Sequence, residues 1–135
     1  MKVGLLIITH DDLGQSLLHT ATKMLGSSPL NTEFMTVPSQ ADPDELIKQG
    51  NELIMKLEQG DGVLILTDMF GATPSNVATQ LMKRGNILSV AGINLPMLVR
   101  VLNYAHLNLC DLAQKALSGG RQGVAECTPP DPNSS

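Results

Sequence analysis

Tryptophan is absent from this 135-residue chain, and its aromatic content is only 2%, supplied by Phe34, Phe70 and Tyr104. Aliphatic side chains and methionine must therefore fill the interior. Basic residues are also few, nine Lys and Arg against thirteen Asp and Glu. With no basic run and no interleaving of aromatic and basic residues, the chain is not expected to bind nucleic acid. Small anions are not excluded, because backbone amides bind them without net positive charge. Cys110 and Cys127 show neither metal-ligand spacing nor a disulfide framework, and read as incidental thiols of a reduced, cytoplasmic protein. No apolar run reaches the roughly 18 residues needed to span a membrane. The opening MKVGLLIITH is too short for a secretory signal and is followed at once by Asp11 and Asp12. Also missing are G-x-S-x-G, the P-loop, G-x-G-x-x-G and H-E-x-x-H. No cofactor and no metal are expected.

What is present is an alternation of short apolar strands and amphipathic helices in a chain of one-domain length, 42% hydrophobic with mean hydropathy +0.06. The first strand spans about Val3 to Thr9, and a helix follows from Leu13 to Leu25 with Leu17, Leu18, Ala21, Met24 and Leu25 at helical spacing. Thr32 to Val37 reads as the second strand. Asp42 and Pro43 suit the N-cap and first position of the next helix, which Gly60 closes. Gly62 to Thr67 is an unbroken apolar run, as a buried parallel strand shows. Thr73, as N-cap, and Pro74 start a third helix, predicted to reach Lys83. A fourth strand over Ile87 to Ala91 is followed by helices from Asn94-Leu95-Pro96 to about Tyr104 and from Asn108 to Leu117. Gly123 to Cys127 reads as a short last strand, and residues 128–135 as a disordered tail or linker.

Such alternation predicts a flavodoxin-like α/β fold, four parallel strands in the order 2-1-3-4 with helices on both faces. Strands one and three are then neighbours, and the crevice at their carboxyl ends is the default ligand site. His10 closes strand one and Asp68 follows strand three. A carboxylate that accepts from one imidazole N–H fixes the tautomer and leaves the other nitrogen as a nucleophile. The plainer alternatives are a histidine that caps a strand and an aspartate that turns the chain. Behind the pair, Gly71-Ala72-Thr73 leads into the Pro74 helix, whose N-terminus suits an anion. Pro74 has no amide proton, so the donors there are expected from Thr73, Ser75 and Asn76; a plain N-cap is the competing role for the Thr73 hydroxyl. His19 and His106 are placed on helices, as surface or packing residues, and Asp11 and Asp12 as capping residues of the first helix.

The ITH that ends the first strand, the segment LILTDMFGATPSNVA and the later VAGINLPMLV resemble the enzyme IIA domain of the mannose family of the bacterial phosphotransferase system. The resemblance spans Met1 to Cys127. It implies a phosphotransferase component in which His10 accepts a phosphoryl group on Nε2 from the phosphocarrier HPr and passes it to a IIB partner, for sugar transport or, in a solo protein, for regulation. Asp68 would hold Nδ1–H, and Thr73, where the family often has serine, would place a hydroxyl beside the phosphoryl group, with Gly71, Ala72, Ser75 and Asn76 around it. Met69, Phe70 and Met97 would form the partner surface. The resemblance further implies a homodimer that exchanges the last strand antiparallel, and membrane association only through a IIC/IID complex. Transport members continue through a linker into a IIB domain, so the chain reads as a solo protein or one cut at that linker. Two rivals share much of this pattern. One is a receiver domain phosphorylated on Asp68, which needs a late-strand lysine that this chain lacks; its last lysine, Lys115, lies in a predicted helix. The other is the phosphotransferase subunit that feeds dihydroxyacetone kinase, against which GATPSN and NLPML favour the mannose type.

Overall fold

A computed structural model describes residues 2–133. Four parallel strands, β1 (Gly4–His10), β2 (Thr32–Val37), β3 (Val63–Thr67) and β4 (Ile87–Ala91), form one sheet in the order β2-β1-β3-β4. This is the expected order. The two central strands, buried on both faces, are the two with unbroken apolar sequence. Alternate residues feed two separate cores. Leu5, Ile7, Leu64 and Leu66 pack under α1 (Leu13–Leu25), α4 (Leu95–Asn103) and α5 (Leu109–Gln122). Leu6, Ile8, Val63 and Ile65 pack under α2 (Pro43–Leu57) and α3 (Thr73–Leu81). Because α1 and α3 leave β1 and β3 toward opposite faces, the loops after those strands part at the carboxyl edge, as the topology requires.

The ends of two helices differ from the sequence reading. Helix α3 stops at Leu81, and Met82–Arg84 form a single 3₁₀ turn before Gly85. Helix α5 does not break at Gly119-Gly120 but runs through both glycines to Gln122. They serve close packing there: a Cβ on Gly119 would lie 2.7 Å from Arg100 Cβ and 3.2 Å from the Pro96 carbonyl oxygen, and one on Gly120 2.7 Å from Met97 Cε. Residues 123–127 form no strand in this single chain and are exposed. With α4 ending at Asn103, His106 falls in the turn before α5 rather than on a helix, whereas His19 is an exposed residue of α1. No helix among the described residues is long and apolar enough to cross a membrane. Both cysteines are free and exposed.

Candidate functional site

The carboxyl end of β1 is shaped by a threonine. Thr9 is buried, and its Oγ1 accepts from the Gly14 N–H at 3.0 Å, satisfying an amide in the first turn of α1. Asp12 stands at the N-cap position but makes no side-chain cap bond, and Asp11 takes a left-handed backbone, φ +49°. The expected capping role of these acids therefore belongs to Thr9. A hydroxyl at the end of an apolar run was the signal for it. Fastened in this way, the chain turns immediately after His10.

His10 and Asp68 meet as the topology predicts. His10 Nδ1 lies 2.8 Å from Asp68 Oδ2, and the same oxygen accepts the His10 backbone N–H at 2.9 Å. Ring and backbone are thus fixed by one atom. The His10 side chain is 46% exposed and the Asp68 side chain 9%, so a solvent-facing imidazole is backed by a sheltered carboxylate. Burial pushes the Asp68 pKa up, but the hydrogen bonds from the His10 backbone and ring, with the ring's charge, outweigh it and hold the carboxyl below its ordinary value. With Nδ1–H donated to Asp68, Nε2 is the nitrogen left with a lone pair.

The loop after β3 is held by its own backbone. Gly71 has φ +86°, the left-handed conformation that glycine adopts without strain, and Ala72 N–H donates to Met69 O at 3.3 Å. Ala72, rather than Thr73, is the N-cap of α3; Thr73 is the first helical residue, exposed, and its side chain makes no cap bond. The plain N-cap role for its hydroxyl is thereby removed. Asn76 N–H donates to Ala72 O at 3.0 Å, and Asn76 Nδ2 lies 3.4 Å from Gly71 O. Asn76 braces the loop and is not one of its free donors. The amides of Thr73 and Ser75 remain in the first turn, where the helix itself does not use them. Among the partner-surface residues, Phe70 is 88% exposed and Met69 59%. Met97 is a correction: the periodicity of α4 turns it into the core, where it is 2% exposed and packs against Gly120 of α5.

A cavity of about 640 Å³ runs along β2 and α2 past Thr36, Pro38, Asp42 and Lys48, and neither His10 nor Asp68 lines it. His10 stands half-exposed at the carboxyl end of β1. Among the described residues no cluster of His, Cys, Asp or Glu forms a metal site.

The model of the PTS system fructose IIA component family matches residues 4–116. The chain is 31% identical over 127 residues to the mannose-specific EIIAB component of the PTS system of Escherichia coli, an alignment covering 92% of this chain and 39% of that protein. It is 27% identical over 112 residues to the transcriptional regulatory protein LevR of Bacillus subtilis, covering 80% of this chain and 12% of that one. Its fold superposes on the mannose/sorbose-specific IIA subunit of the phosphotransferase system from Enterococcus faecalis with a TM-score of 0.85, at 21% identity over 97% of this chain and 98% of that chain. The chain thus spans about two fifths of the E. coli relative and a much smaller share of LevR. On the extent of the family match and the mannose-specific relative together, it belongs to the mannose family of phosphotransferase-system IIA components.

Proposed function

We propose that the chain is a phosphoryl carrier of the phosphotransferase system, accepting the group on His10 from phospho-HPr and passing it to a IIB protein or domain. The observation that supports this reading is the His10–Asp68 contact, which engages Nδ1 of a half-exposed ring and leaves Nε2 as the candidate nucleophile. In the first step the Nε2 lone pair forms the N–P bond in line as the bond from phosphorus to the donor breaks, and that electron pair returns to the donor. The Nδ1 proton stays hydrogen-bonded to Asp68, which stabilises the positive charge on the ring. Positioning and charge do most of the work in such transfers. The N–H groups at the start of α3 and the Thr73 hydroxyl supply donors for the phosphoryl oxygens. Phe70 and Met69 supply an exposed apolar surface for the partner.

The similarity to LevR, a transcriptional regulator by its name, favours a second use of the same step, in which the phosphoryl group on His10 regulates rather than feeds transport. Dimerisation belongs to the same reading: among the described residues β4 pairs only with β3, and Phe70, Leu88, Val90 and Leu117 line a cavity of about 350 Å³ beside its open edge, where the 123–127 segment of a second copy would pair. Residues 1–127 would then form the IIA domain and 128–135 a tail or linker.

The test is incubation with phosphoenolpyruvate, enzyme I and HPr, followed by analysis of the bound phosphate. Acid-labile, base-stable label that is lost in His10→Ala is the expected result. A hydroxylamine-sensitive acyl phosphate lost in Asp68→Ala would overturn it in favour of a receiver mechanism.

A further inference from the structure

Two buried oxygen atoms at the end of β3, Thr67 Oγ1 and Asp68 Oδ1, have no hydrogen-bond partner among the described residues. Thr67 is wholly buried. A hydroxyl and a carboxylate oxygen withdrawn from water without a partner are both unfavourable, and such pairs call for a specific explanation. Packing does not supply one. Alternation along β3 puts Val63, Ile65 and Thr67 on the face covered by α2 and α3, and the first two are plain core residues. Valine, of the same shape, would fill position 67.

The position of the hydroxyl suggests its use. The parallel register sets Thr67 beside Ile8, so the next β1 residue on the same face is His10. Asp68 is the residue that follows Thr67. Its Oδ2 takes both His10 donors, the ring and the backbone N–H, so the carboxylate is held through one oxygen only and Oδ1 adds nothing to its restraint. Buried waters in proteins characteristically join polar groups in this situation, each making two to four hydrogen bonds.

We propose that Thr67 is a positioning residue for the His10–Asp68 pair, its hydroxyl tethering Asp68 Oδ1 through one bound water and so fixing the carboxylate through the oxygen that His10 does not use. The proposal rests on the reading of that pair as the transfer site. It gives the hydroxyl at 67 a role in ring orientation that no phosphoryl contact requires, since Thr67 is sealed from solvent.

The experiment compares Thr67→Val and Thr67→Ser with the wild-type chain, reading the Asp68 carboxyl titration by carbon NMR and the rate of phosphorylation by phospho-HPr. Removing a hydrogen bond to the ionised carboxylate raises its pKa. In Thr67→Val the midpoint should rise by roughly half a unit to one unit and the rate fall about three- to tenfold, the effect of one ordinary hydrogen bond. Thr67→Ser should restore both. An unmoved midpoint in folded Thr67→Val would overturn the proposal and leave Thr67 as a core residue. So would a high-resolution crystal structure of the wild type with no water within reach of both oxygens, whether or not the variants fold. The titration is read on the unphosphorylated chain, so it decides the role of Thr67 even if His10→Ala keeps the label and the transfer reading fails.

Discussion

Asp68 Oδ2 receives two hydrogen bonds from one residue, the His10 ring at 2.8 Å and the His10 backbone N–H at 2.9 Å. The carboxylate therefore fixes the end of strand β1 as well as the imidazole tautomer. Replacing Asp68 by Ala should leave the chain folded, because the contact lies on the rim of the sheet rather than in either core. The rate of phosphorylation by phospho-HPr should fall by about 10- to 150-fold, the equivalent of one charge-assisted hydrogen bond. Rapid-quench measurement of labelled protein checks this, and an unchanged rate would refute the orienting role.

Acid should distinguish the same variant by stability. The folded-state pKa of Asp68 is lowered, so its contribution to folding is complete above the ordinary carboxylate pKa and fades as pH falls through the folded value. Wild type is expected to be more stable than Asp68→Asn at pH 7, with the difference closing below about pH 4. Denaturant unfolding across that range provides the measurement. A difference that persists undiminished at pH 2 would assign the defect to something other than the ionised carboxylate.

Charge around His10 predicts a salt effect. The loops after the four strands, with the first helical turns that follow, contain Asp11, Asp12, Asp42, Asp44, Glu45 and Asp68, and no Lys or Arg. A protein that docks there productively must bring positive charge, and electrostatic steering of that kind weakens as salt shortens the Debye length, about 10 Å at 0.1 M. The second-order rate of phosphorylation by phospho-HPr should fall with ionic strength, and the double change Asp11→Asn, Asp12→Asn should flatten the dependence. A salt-independent rate in the wild type would remove the steering argument.

Phe70 and Met97 looked alike in the sequence and separate in the structure. At 88% exposure Phe70 has little to lose on truncation, so Phe70→Ala should change stability by no more than about 0.5 kcal/mol. Its transfer efficiency should drop at least about tenfold if it is an anchor of the partner contact. Met97→Ala should show the reverse, losing about 2–5 kcal/mol of stability as a buried side chain is removed. Thermal unfolding and kcat/KM measured on both variants decide the assignment.

That contrast marks how far the sequence could be read. Strands β2 and β4 and helix α1 fall where periodicity and turn residues place them, and the His10–Asp68 meeting follows from strand order alone. Signals that depend on a neighbour were not legible. Met97 follows Asn94-Leu95-Pro96 in a stretch that signals a helix start, but which face of that helix is buried depends on where α5 lies. Thr67 and Thr9 read as strand residues until the ends of their strands are seen to adjoin the site. Gly119 and Gly120 carry the ordinary mark of a helix end, and only contact with α4 shows why the helix continues through them.

Gly119 provides the sharpest test of that last point, because two effects there have opposite signs. In an exposed helix interior, Gly→Ala stabilises by about 1 kcal/mol through backbone entropy. Here the added methyl would lie 2.7 Å from Arg100 Cβ, an atom next to the α4 backbone that no rotamer change removes. Overpacking of this kind typically costs about 1–3 kcal/mol. Gly119→Ala is therefore expected to be destabilising, lowering the unfolding midpoint in denaturant. A stabilised variant would mean that α4 and α5 sit further apart than the glycine stripe requires, and that the helix passes through these residues for some reason other than close packing.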